Sequence, residues 1–176
     1  LILLKSTDNG VTWTKTTIFD FPLDKWNYET TLSDVNNDGV ADTIDTYDGN
    51  LAILIDNNDQ VNVFFGNNRI IQDNPVAGGG YSYFPGTDGI FHWSESMGPN
   101  NPVIIAGAID RDGDGVLTTP TPTVTGQLGW GNYGTGLSSF PSCGITSDGK
   151  IYLTYATIFE NTDNGSQKAY RHTYIM

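Results

Sequence analysis

Apolar and polar residues alternate along this chain in short runs, and nowhere does a 3.6-residue apolar period persist. Period-two alternation broken by Asp, Asn and Gly is the signature of strands joined by tight turns. Residues 51–55 (LAILI) lead through Asp56, Asn57, Asn58 and Asp59 into 61–65 (VNVFF), which predicts a hairpin with a short polar loop. Residues 139–145 (SFPSCGI) lead through Ser147, Asp148 and Gly149 into 151–155 (IYLTY), a second hairpin. A third is predicted where 80–84 (GYSYF) and 90–93 (IFHW) flank the PGTDG turn at 85–89, and a final strand at 169–174 (AYRHTY). The stretches 73–80, with its three consecutive glycines, and 118–136, with Pro120, Pro122 and many glycines, read as loops. The chain is therefore expected to be all-β with long loops.

Both ends, 1–4 (LILL) and 174–176 (YIM), are apolar and strand-like, so the chain reads as part of a longer polypeptide. At 176 residues it is long enough for one domain with a core of its own. No apolar run approaches the roughly 18 residues of a membrane span, and no signal-like start is visible. The lone Cys143 rules out an internal disulfide framework and reads as a buried thiol.

Charge changes the picture. The net charge is −12, and its acid is 17 Asp against 3 Glu. Asp favours turns, caps and hard-cation loops over helix surfaces, so the charge is expected in loops. Only 8 Lys and Arg are present, which argues against a nucleic-acid partner. Calcium is the partner this composition favours.

Near the start, Ser6-Thr7-Asp8-Asn9-Gly10-Val11-Thr12-Trp13 has the form Ser-x-Asp-x-Gly-x-Thr-Trp. Its Asp8 carboxylate is placed to accept backbone N–H groups across the turn, Gly10 to take a positive φ, and Trp13 to fold back as a lid. This stretch resembles the Asp-box, or bacterial neuraminidase repeat, of sialidases, sortilin-like receptors and other secreted β-propellers. The resemblance implies a partial β-propeller of antiparallel four-stranded blades, from a secreted or cell-surface bacterial protein. It makes Ser6, Asp8, Gly10, Thr12 and Trp13 scaffold, because the family's box joins two blade strands away from the catalytic face. On that reading the first 21 residues close one blade, about 50–95 form a second and about 103–176 most of a third, with the remaining blades of the parent chain as partners. Thr162-Asp163-Asn164-Gly165 repeats Thr7-Asp8-Asn9-Gly10 without the following Trp, and reads as an ordinary turn.

Residues 34–45 (DVNNDGVADTID) place oxygen side chains at loop positions 1, 3, 5, 9 and 12 and Gly at position 6. That spacing lets Asp34, Asn36, Asp38, Asp42, Asp45 and the Val40 carbonyl wrap one Ca²⁺. It resembles dockerin-type and EF-hand-like loops and the calcium loops of integrin-like propellers, departing from an EF-hand in having Asp45 where a bidentate Glu would stand. A second candidate begins at Asp110, Asp112 and Asp114, with Thr118 and Thr121 at its later positions. Both runs also suit metal-free turns.

A sialidase-type hydrolase needs an arginine cluster, an acid/base Asp and a Tyr–Glu couple. This chain has only Arg69, Arg111 and Arg171, and Glu29, Glu95 and Glu160 as its glutamates, none visibly paired with a Tyr. No catalytic residue is assigned within it. His92 and His172 lie in aromatic strands and read as packed residues. Trp93, Trp130, Tyr133, Tyr81 and Tyr83 suit either a core or stacking on sugar rings. The function expected is a calcium-stabilised binding or adhesion scaffold for a glycan or surface protein, the alternative being part of a sialidase-type glycoside hydrolase with its catalytic residues elsewhere.

Overall fold

A computed structural model of the chain describes residues 1–118, 134–163 and 169–176. It is all-β, built from antiparallel sheets, and among the described residues none closes into a barrel. A two-stranded hairpin joins β1 (Ile2–Lys5) to β2 (Thr14–Thr17). The middle sheet runs β3 (Ile44–Ile55), β4 (Val61–Ile71), β6 (Ile90–Ser94), β7 (Val103–Ala106), with β5 (Ser82–Tyr83) also on β4. The third sheet orders β8 (Ser138–Ile145), β9 (Ile151–Asp163) and β10 (Ala169–Ile175) with β9 in the centre.

Strand β4 organises the core because it is buried on both faces, as its nearly unbroken apolar start VNVFF anticipates. Alternate residues point to opposite sides. Val61, Val63 and Phe65 pack with Trp93 against Leu3 and Ile18 of the first hairpin and the segment after it. Phe64 turns the other way, with Ile90, onto Leu153 and Tyr155 of β9. Phe65 and Trp93 are fully buried, and truncating a ring so placed costs about 3–5 kcal/mol.

The hairpins expected at 51–65 and 139–155 are present, pairing Ile55 with Val61 and Ile145 with Ile151. The third expected hairpin is not. Ser82–Tyr83 pairs with Ile70 and Ile71, while Ile90–Ser94 pairs with residues 62–66, so both segments line up along one edge of β4 instead of on each other. The longer, more apolar β4 offers both a better partner than the two-residue β5 can. Val103–Ala106 joins the middle sheet beside β6 instead of opening a third unit.

Strand β3 starts at Ile44, seven residues before the apolar run that predicts it. A bulge separates its two halves: Tyr47 pairs with Asn67 and Leu51 with Phe65, so Asp48, Gly49 and Asn50 together face Gly66. Gly49 takes a φ of 89° there.

Candidate metal centre

The opening turn is held by its own side chains. Asp8 accepts the Thr12 hydroxyl at 2.6 Å, the Thr12 N–H at 2.8 Å and the Ser6 hydroxyl at 2.8 Å. Ser6 Oγ also accepts the Gly10 N–H at 2.7 Å, and Trp13 Nε1 donates to the Gly10 carbonyl at 3.1 Å. Gly10 has a φ of 87°. These donors, the Thr12 hydroxyl foremost, lower the Asp8 pKa to about 2. Trp13 bends back over Gly10 yet stays 61 % exposed.

The carboxylates of the 34–45 loop turn onto their own backbone. Asp34 accepts the N–H groups of Asp38 and Gly39, Asn36 that of Asp38, Asp38 that of Val40, and Asp42 that of Val35. Its base is closed by Ser33, fully buried, whose hydroxyl donates to the Asp42 carbonyl at 2.6 Å and accepts the Gln72 N–H at 2.9 Å. Asp45, expected as the closing ligand, instead lies in β3 opposite Arg69, whose Nε donates to its carboxylate at 2.5 Å. The strand pairing that extends β3 back to Ile44 takes this position out of the loop.

The second run is the one whose acids gather. Among the described residues, the acidic groups with oxygens all within 4.8 Å of one another are Asp110, Asp112 and Asp114. Asp110 is oriented by the Gly113 and Gly115 N–H groups at 2.7 and 2.8 Å, Asp112 by that of Asp114, and Asp114 by that of Val116 at 2.7 Å. The bonds from Gly115 and Gly113 lower the Asp110 pKa, keeping it ionised. Each carboxylate oxygen keeps a second lone pair, so these three acids fit a hard divalent cation that takes six to eight oxygen ligands. Thr118 is engaged elsewhere, and Thr121 lies outside the described residues.

Glu160 fixes this loop to the third sheet, a role its sequence context does not reveal. Its side chain is 1 % exposed, and its two oxygens accept the Arg111 N–H at 2.8 Å and the Thr118 N–H at 2.9 Å. These two bonds, Arg111 first, lower its pKa. A parallel bridge between Ile109 and Phe159, and the Arg111 guanidinium 6.0 Å from the Phe159 ring centre, complete the attachment.

The remaining candidates separate. His92 stacks on Phe64 with ring centres 4.8 Å apart, its Nε2 2.9 Å from Asn62 Oδ1, and desolvation lowers its pKa. His172 meets Phe159 and Tyr170 edge-on. Trp93 is core, donating to the Gly98 carbonyl at 2.7 Å, whereas Tyr81 and Tyr83 are exposed; Trp130 and Tyr133 lie outside the described residues. Cys143 is half-buried against the Phe64 cluster, which raises its thiol pKa by desolvation. Arg69 engages Asp45, Arg111 the Phe159 ring, and Arg171 the Thr135 hydroxyl and Gly136 carbonyl. Glu95 accepts from Lys5 and from the Val61 N–H.

Fold and loops together define an all-β protein of antiparallel sheets with a gathered acidic loop. No family model, curated protein or solved structure matches the chain.

Proposed function

We infer that this chain is a portion of a calcium-stabilised β-propeller from a secreted or cell-surface protein, acting as a binding or adhesion scaffold for a glycan or surface protein. The observation that carries the reading is the antiparallel path β3-β4-β6-β7, four strands whose core strand is buried between the first hairpin and the third sheet. A propeller is a ring of such four-stranded units. The Ser6–Trp13 turn, held by its own side chains, is the second support.

Calcium enters this reading at Asp110, Asp112 and Asp114, which the Glu160 cap holds against β9. A cation there would brace the loop that leaves the middle sheet and that Glu160 fastens to the third sheet. The arginines do not favour the hydrolase alternative, since Arg69, Arg111 and Arg171 each engage a different partner.

Calcium calorimetry on the intact protein, with Asp112→Asn and Asp34→Ala beside the wild type, tests it. Binding heat lost in Asp112→Asn and retained in Asp34→Ala, with a melting temperature lowered by chelator, is expected. No calcium heat and no chelator effect would remove the metal from the reading.

A further inference from the structure

The bulge in β3 opens a cleft of about 380 Å³ that none of the loops above uses. This lies within the ~300–1,000 Å³ typical of small-molecule sites. Three tyrosines wall it, Tyr47, Tyr81 and Tyr83, exposed by 39 %, 45 % and 37 %. At Tyr47 and Tyr81 such exposure leaves ring surface open at the mouth of a concave site.

Thr46 and Asn68 supply polar groups to the same cleft. They are directly opposite on β3 and β4, so their side chains stand side by side about 5 Å apart. Asn68 is only 6 % exposed, and its Oδ1 accepts the Arg69 N–H at 2.8 Å. Its side chain lines the cleft. A side-chain amide at a cleft surface can donate to and accept from a ligand hydroxyl.

Tyr81 is positioned before any ligand arrives. Its ring meets Trp26 at 5.8 Å and Tyr28 at 5.5 Å between centres. The segment just before it is pinned by Gln72, 2 % exposed, whose amide donates to the Tyr28 and Gly80 carbonyls. A wall set in advance lowers the ordering cost of binding.

Flat rings beside a hydroxyl and a side-chain amide suit a sugar ring. A pyranose presents an apolar C–H face to an aromatic ring and, at its edge, hydroxyls that both donate and accept. Asp48 also lines the cleft, in a chain of net charge −12, so carboxylated or phosphorylated ligands are disfavoured. We propose that this cleft is a binding subsite for a neutral pyranose sugar. The inference rests on the scaffold reading above and names its ligand class.

A printed array of neutral and sialylated oligosaccharides, probed with the intact protein, provides the ligand. Calorimetry with the best neutral glycan is then repeated on Tyr47→Ala, Tyr81→Ala and Thr46→Val, each checked by its melting curve. We expect saturable binding to a neutral glycan, weakened about tenfold by either tyrosine change and less by Thr46→Val. Signal on no neutral glycan overturns the proposal. So does a preference for sialylated glycans, or binding that folded Tyr47→Ala and Tyr81→Ala both keep. None of these outcomes affects the calcium heat, and loss of the calcium heat leaves the sugar assay standing, so the two readings fail separately.

Discussion

The Asp48 carboxylate occupies the space that a side chain on Gly66 would need: a Cβ built on Gly66 would stand 2.3 Å from Asp48 Oδ2. The β3 bulge produces this overlap, because three residues of one strand crowd against one residue of its neighbour. Ser139 of β8 completes it by donating its hydroxyl to the same carboxylate, while the adjacent Ser138 donates to Asp88 at 2.6 Å. Consecutive serines thus fasten the third sheet to the middle one through two aspartates.

Gly66→Ala should therefore destabilise the protein by about 1–3 kcal/mol, the usual cost of overpacking. Adding Asp48→Ala should recover part of that loss, since it removes the atom struck. Denaturant melts of the two single variants and the double variant give the coupling. Strict additivity would mean that the two residues do not compete for space.

Burial raises the Asp48 pKa, despite the opposing Ser139 and Asn50 hydrogen bonds and the charge of Arg171. A raised folded-state pKa means that the native state holds this proton to higher pH than the unfolded chain does. Stability from this group is therefore lost as pH rises from the unfolded value, about 4, through the folded one, and is level above it. Asp48→Asn removes that dependence. The wild-type minus Asp48→Asn stability difference should fall as pH rises from about 4, and a flat difference would contradict the burial account.

Asp8 has the opposite sign. Its pKa of about 2 lies below the unfolded value, so the stability it contributes is present above that value and lost as pH falls through about 2. A carboxyl-carbon NMR titration should place Asp8 near that value. Thr12→Val, which removes the hydroxyl acting most strongly on it, should raise the pKa towards the ordinary range, and Thr12→Ser should leave it low. An ordinary pKa in the wild type would mean the turn is not closed by these bonds.

Glu160→Ala should leave the Arg111 and Thr118 amides without acceptors. Both should then exchange with solvent faster, along with the loop between them, while the β3–β4 amides keep their protection. Glu160→Gln, which retains an acceptor oxygen, should fall between the two. Unchanged exchange at Arg111 in Glu160→Ala would show that the loop is held by other contacts.

Sequence alone determined what depends on near neighbours. The hairpins at 51–65 and 139–155 follow from alternation and polar turns, and the Ser6–Trp13 turn closes through side-chain bonds spanning no more than four residues. The acidic runs were also legible, whereas the residues that reach them from other elements were not. Asp45 goes to Arg69, 24 residues ahead, while the Asp110 loop is held by Glu160, 49 residues beyond Arg111 and 42 beyond Thr118. Likewise, the apolar run of β4 marks a strand without naming its partners, and it took both β5 and β6 along one edge. The Tyr47, Tyr81 and Asn68 cleft has the same origin: strand pairing and a bulge bring distant residues together, and backbone hydrogen bonds, common to every residue but proline, carry no sequence label for the partner they choose.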